Sequence, residues 1–135
     1  HEFKEQYPCR MEITLDPVLE EIRLDPVLFS RVLDNLFHNS CEASAGDRVI
    51  RVTTAQEDAH VFIRVEDEGR GIPADMSEKI FEPFFSSKKK GYGFGLAFVQ
   101  EVIRKHGGRI IVHSLEERGT EMVLILPLEK KDVEV

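Results

Sequence analysis

The chain is short of several things, and each absence excludes a class of protein. It has only two cysteines, Cys9 and Cys41, in no metal-binding or redox spacing. Two free thiols in a reducing compartment are therefore expected. No apolar run is long enough to cross a bilayer, and no secretory signal is visible. Positive charge is in deficit: 18 Lys and Arg stand against 25 Asp and Glu, for a net charge of −7. That balance argues against broad binding to nucleic acid or to an anionic membrane. Repeats, low-complexity tracts and an internal domain boundary are also missing. What is left is a chain of 135 residues, 41% of them hydrophobic, which suits one globular domain with a single core.

Residues 1–10 are polar and without period, and read as a tag or linker remnant. Two short alternating stretches follow, Met11 to Leu15 and Glu21 to Leu24, each running into Asp-Pro. Asp25 suits an N-cap and Pro26 a first helical residue. Phe29, Val32, Leu33, Leu36 and Phe37 then form a helical apolar stripe that Gly46 closes. Val49 to Thr54 and His60 to Glu66 read as paired strands. Residues 73–92 carry little pattern beyond a short helix at 75–80, and form a candidate lid. Leu96 to His106 is helical and stops at Gly107-Gly108. Arg109 to Ser114 and Glu121 to Leu126 are strands joined at Gly119. The order is roughly β-β-α-β-β-α-β-β, an α/β two-layer sandwich with helices on one face of the sheet.

Two glycine-rich segments carry most of the chemistry. Asp67-Glu68-Gly69-Arg70-Gly71-Ile72 leaves a strand, and Gly91-Tyr92-Gly93-Phe94-Gly95-Leu96 opens a helix. A carboxylate at Asp67 can accept a hydrogen bond from the exocyclic amine of adenine, and Gly69 and Gly71 let backbone approach the ring. Alone, this segment reads equally as an acidic turn. Unpaired N–H groups around Gly91, Gly93 and Gly95 can hold phosphate, helped by the helix dipole. Alone, this segment also reads as a hinge. It is neither the dinucleotide fingerprint nor a Walker loop. Lys88 precedes it and can reach a terminal phosphate, whereas Lys89 and Lys90 read as solvated charge. Asn35, Asn39 and Glu42 share one helical stripe. Oxygens there suit Mg2+, which takes one or two protein ligands and completes its shell with phosphate and water. The stripe by itself is also an ordinary polar face. His38, His60, His106 and His113 share no metal spacing, and His106 falls in a last helical turn that favours a cation. Ser86, Ser87 and Cys41 have no evident base partner, so nucleophilic catalysis is not supported.

Taken in order, these segments resemble the catalytic ATP-binding domain of bacterial sensor histidine kinases, the GHKL or Bergerat fold. The resemblance covers about residues 11–128, within an ATP-binding domain expected at 11–130 and followed by a tail at 131–135. Asn35-Leu36-Phe37-His38-Asn39-Ser40 resembles the N box, and Phe81-Glu82-Pro83-Phe84-Phe85 the F box. The two glycine segments resemble the G boxes, and Gly119-Thr120 the small third one. The fold this implies is a mixed, mostly antiparallel sheet of about five strands covered on one face by about three helices. The implied site holds ATP and Mg2+. Asn39 would be the metal ligand, with Glu42 in support. Asp67 would read adenine, with Gly69 and Gly71 letting backbone approach the ring. Gly91, Gly93 and Gly95 would cradle the phosphates and Lys88 would neutralise the terminal one. Ile72, Phe85, Tyr92, Phe94, Leu96 and Thr120 would also bind the nucleotide. Asn35, Asn39 and Lys88 would be the catalytic set.

The spacing of Phe81 to Lys88 and Gly91 resembles the short-lid, nitrogen-sensor type. One departure is that Tyr92 and Phe94 stand where many members carry serine or threonine, so phosphate contacts rest more on backbone. Asn35 stands where ATP-hydrolysing relatives keep a glutamate, and an amide cannot act as a general base. This suits phosphoryl transfer to a histidine rather than a gyrase-like ATPase. The phosphoacceptor is absent: His1-Glu2-Phe3-Lys4 is followed by too few residues for the two-helix hairpin such a motif needs. The resemblance thus implies a cytoplasmic protein-histidine kinase catalytic domain. Its partners would be a separate dimerisation and phosphoacceptor domain and a response-regulator receiver, with no nucleic acid and no membrane contact. An ATP-sensing or partner-docking domain without phosphotransfer is the alternative.

Overall fold

A computed structural model describes residues 10–16, 24–43, 49–73, 75, 79–82, 93–115 and 117–128. Five strands form one sheet: β1 (Arg10–Thr14), β2 (Val49–Glu57), β3 (His60–Asp67), β4 (Arg109–Leu115) and β5 (Gly119–Pro127). Their spatial order is β1-β2-β3-β5-β4. β1 runs parallel to β2, and every other pairing is antiparallel. Two helices, α1 (Pro26–Ala43) and α2 (Gly93–Lys105), pack against the sheet and each other.

The alternation in the strands decides which face is covered. Met11, Ile50, Val52, Val65, Met122, Leu124 and Leu126 point one way and join Val32, Leu36, Leu96, Val99 and Ile103 in one core. Burying a Leu, Ile or Val side chain contributes about 1.5–3 kcal/mol, so this layer dominates the stability. Intervening residues pair across the opposite face, as Phe62 with Ile125 and Ile111 with Val123.

Local signals position α1. The Asp25 carboxylate accepts the N–H groups of Val27 at 3.0 Å and Leu28 at 3.1 Å, as an N-cap should. The first Asp-Pro acts differently. Asp16 stops β1 by turning to its neighbour: its N–H donates to Thr54 Oγ1 and its carboxylate accepts Gln56 N–H.

Several expectations change. Among the described residues there are two helices rather than about three. Only 75, 79 and 80 of the expected 75–80 helix are described, with Lys79 and Ile80 in a turn. Of the second N-terminal strand only Leu24 is described, and it is not extended into a ladder. Gly46 lies outside the described residues. α2 begins at Gly93, three residues earlier than its apolar stripe suggested, because apolar periodicity marks only the buried part of a helix. Cys41 is disulfide-bonded, not a free thiol. The other cysteine, Cys9, lies outside the described residues. Pairing is decided by spatial approach, which spacing along the chain does not reveal.

His106 links the two helices. Its Nε2 accepts the Asp25 N–H at 3.0 Å, while Nδ1 lies 2.9 Å from the Val102 carbonyl. The ring ties the end of α2 to the start of α1. Arg31 on α1 adds a second link, with its guanidinium 4.7 Å from the centre of the Phe98 ring on α2.

Candidate functional site

The core packing brings the end of β3, the C-terminal part of α1 and the β4–β5 hairpin together. Asp67, the last residue of β3, is buried at 6% exposure. Its Oδ1 accepts the N–H of Gly69 at 2.9 Å and of Thr120 at 3.3 Å. The Ser40 hydroxyl on α1 also hydrogen-bonds to the carboxylate. Burial raises the Asp67 pKa above the ordinary carboxylate value, and these donors and the Arg70 charge offset only part of that rise. A buried carboxylate held by N–H and O–H donors at a strand end is preorganised to accept one more hydrogen bond.

The turn after Asp67 is shaped by contact with the hairpin. Gly71 has φ of +72°, in the left-handed region that favours glycine. Arg70 accepts the Glu117 N–H through its carbonyl. Ile72 is buried and donates its N–H to Ser114 Oγ at 2.8 Å. Gly119 has φ of +110°, and a Cβ there would lie 2.2 Å from the Asp67 carbonyl oxygen. That close approach lets Thr120, itself buried, reach Asp67.

On α1, Asn39 precedes Ser40 and is 5% exposed, with its Nδ2 lacking any hydrogen-bond partner. A buried amide with an unpartnered corner is costly unless a ligand completes it. Rotating the amide by half a turn presents oxygen at the same place. The residue therefore fits the role of a hard-cation ligand, on the helix whose Ser40 reaches Asp67. Asn35 is half-buried one turn earlier on the same helix. The Glu42 side chain lies outside the described ones.

Gly93, Phe94 and Gly95 open the first turn of α2, so their N–H groups are without intrahelical partners. This relocates the expected phosphate cradle from a loop before the helix into the helix's own first turn. The Leu96 side chain is fully buried in the core. Phe85, Lys88, Gly91 and Tyr92 lie outside the described residues. Ile80 is 1% exposed and Phe81 packs partly against the core, so the lid region has an apolar anchor ahead of Phe84 and Phe85.

Sequence reasoning missed Ser40 and Ser114. Neither carries a recognisable spacing: Ser40 meets Asp67, and Ser114 meets Ile72, only across the fold. A hollow of about 310 Å³ also opens at this end of the sheet, with Arg51, Glu66, His113 and Glu121 in its wall. These alternate with core-facing residues, so it opens away from the helices. Arg51 pairs with Glu68 there at 3.4 Å, and the His113 ring lies 3.2 Å from Glu121.

Comparison with known proteins gives a consistent result. A family model described as "Histidine kinase-, DNA gyrase B-, and HSP90-like ATPase" matches residues 24–130. The chain is 40% identical over 119 residues to the sensor histidine kinase ZraS of Escherichia coli K12, covering 88% of this chain and 26% of that protein. It is 41% identical over 115 residues to the signal transduction histidine-protein kinase AtoS of the same strain, covering 84% and 19%. The chain thus spans about a quarter or less of these curated relatives. Among solved structures, a mycobacterial sensor histidine kinase, MprB, superposes with a TM-score of 0.82 at 28% identity, covering 94% of this chain and 89% of that one. A nucleotide-free catalytic domain of the histidine kinase ThkA gives 0.80 at 28% identity, covering 94% and 85%.

Proposed function

The chain belongs to the histidine kinase-, DNA gyrase B- and HSP90-like ATPase family, and on that premise we propose that it binds Mg2+-ATP and donates the γ-phosphate to a histidine on a separate domain. The observation that carries this is the pairing of a buried, donor-held Asp67 with a buried, incompletely bonded Asn39 on adjoining elements. Asp67 accepts from the adenine amine. Guanine places a carbonyl there, and two acceptors would face each other. Asn39 holds Mg2+, with Asn35 and Glu42 orienting the metal site. When bound, the ion neutralises phosphate charge. The first-turn N–H groups of α2 hold phosphate oxygens, and Lys88 completes their neutralisation.

Catalysis on this reading is positioning and electrostatics. The acceptor imidazole attacks the γ-phosphorus, the bond to the bridging oxygen breaks, and ADP leaves. Asn35 offers no carboxylate to activate water, which favours transfer over hydrolysis. The ATP-binding domain spans residues 11–130 and works in the cytoplasm. Its partners are the dimerisation and phosphoacceptor domain of the same kinase, then a response-regulator receiver. Among the described residues no helix is long and apolar enough to cross a membrane.

The test is incubation of the chain with γ-labelled ATP, Mg2+ and a matching dimerisation domain. Acid-labile label on the histidine of that domain is the expected result. ATP binding without any such label would leave a sensing or docking domain as the better reading. Rapid ATP hydrolysis by the chain alone would instead favour a gyrase-like ATPase.

A further inference from the structure

The Ser114 hydroxyl is a junction to which the nucleotide reading assigns no role. Ser114 lies on β4, in step with Ile110 and Val112, which pack against the core. Its Oγ accepts the Ile72 N–H at 2.8 Å, sits 3.2 Å from the Gly119 carbonyl as a donor, and lies 2.8 Å from Thr120 Oγ1. Ile72 belongs to the turn after Asp67, and the Thr120 N–H bonds to Asp67 itself. One hydroxyl therefore joins the adenine-side turn to the hairpin that backs it.

Counting protons shows what this junction can do. A hydroxyl has one proton and two lone pairs. The Ile72 N–H occupies one lone pair of Ser114. If Ser114 gives its proton to the Gly119 carbonyl, Thr120 donates to Ser114 and offers a ligand only lone pairs. If Ser114 donates to Thr120 instead, the Thr120 proton is released for an acceptor on the ligand. No heavy atom moves between the two states. Adenine carries an acceptor ring nitrogen, N1, next to the carbon bearing its amine, and the second state complements it.

We propose that Ser114 is a positioning residue of the adenine pocket, fixing the Thr120 hydroxyl in place and turning it into a donor when adenine binds. The proposal rests on the nucleotide reading above. Calorimetric titration with Mg2+-ATP of the wild-type chain, Ser114→Ala, Thr120→Val and the double variant tests it. Each single change should weaken ATP by roughly five- to tenfold, the yield of one lost hydrogen bond. The double variant should bind no more weakly than Thr120→Val alone. Inorganic triphosphate, which reads only the phosphate end, should bind Ser114→Ala as it binds wild type. Ser114→Thr, which keeps the hydroxyl, should restore ATP affinity. If Ser114→Ala does not fold, Ser114→Cys, similar in size but a weak donor, carries the same comparison. Additive losses, or equal losses of ATP and triphosphate, overturn the proposal while leaving the nucleotide site standing. Absence of ATP binding by the wild-type chain overturns both.

Discussion

Replacing Asp67 with Asn tests the adenine reading most directly, because the structure separates its effect on binding from its effect on folding. The two backbone donors, Gly69 and Thr120, both meet Oδ1. An asparagine can keep its amide oxygen in that place and retain them. The other corner then becomes an NH2 facing the adenine amine, donor against donor. A hydrogen bond to a charged group contributes about 1.5–3 kcal/mol. Its loss weakens binding between roughly 10-fold and 150-fold. Calorimetry with Mg2+-ATP reads this, and GTP serves as the control. The new NH2 can donate to the guanine carbonyl, so GTP should lose much less and discrimination should narrow. An unchanged ATP affinity in a normally folded variant would refute the assignment of Asp67 to adenine.

The same variant yields a pH signature with a definite sign. Burial raises the Asp67 pKa above its ordinary 3.8 in the folded protein. A raised carboxylate pKa means the folded state holds its proton more tightly than the unfolded state. The resulting stability is fully present below the unfolded value and is lost as pH rises through the folded one. Wild type therefore carries a penalty at neutral pH that Asp67→Asn does not. Thermal melts from pH 4 to 8 should show the variant gaining on wild type as pH rises. A gap that widens toward acid would contradict the burial argument.

Other expectations follow from single contacts. Asn39→Ala should remove the Mg2+-dependent part of ATP affinity while leaving metal-free binding nearly intact, as titrations with and without EDTA would show. Gly119→Ala places a Cβ 2.2 Å from the Asp67 carbonyl oxygen at a φ of +110°. It should lower the unfolding free energy read from urea melts by about 1–3 kcal/mol, the usual range for strained backbone, and weaken ATP binding as well. Reduction with dithiothreitol should lower the unfolding free energy by about 2–4 kcal/mol, the usual contribution of a disulfide, because Cys41 is bonded. A midpoint indifferent to reductant would favour free thiols.

Much of the fold was legible along the chain. Asp25-Pro26 marks the start of α1, and the stripe through Val32 and Leu36 faces the core. Period-two alternation marks β2 and β3, and Gly107-Gly108 ends α2. These are local effects of sterics, capping and apolar spacing. The start of α2 was less legible, since the apolar stripe begins at Leu96 while the helix begins at Gly93. The cysteine state was misread because a disulfide depends on distance in space. The link from His106 to Asp25 was not legible, because the two lie 81 positions apart in the chain.

The nucleotide site divides in the same way. The chain by itself determined which groups are available: Asp67 at a strand end, flexible glycines beyond it, Asn39 one residue before Ser40, and a glycine-rich helix start. These depend on neighbours a few residues apart, and short-range geometry is written into the order of residues. Only the tertiary structure decided how those groups are held. The Thr120 N–H reaches Asp67 across 53 positions, and Ser114 reaches Ile72 across 42. Ser40 reaches Asp67 because α1 packs onto β3. Such contacts follow from the summed burial of the whole core, and no local pattern encodes where two distant hydroxyls will meet.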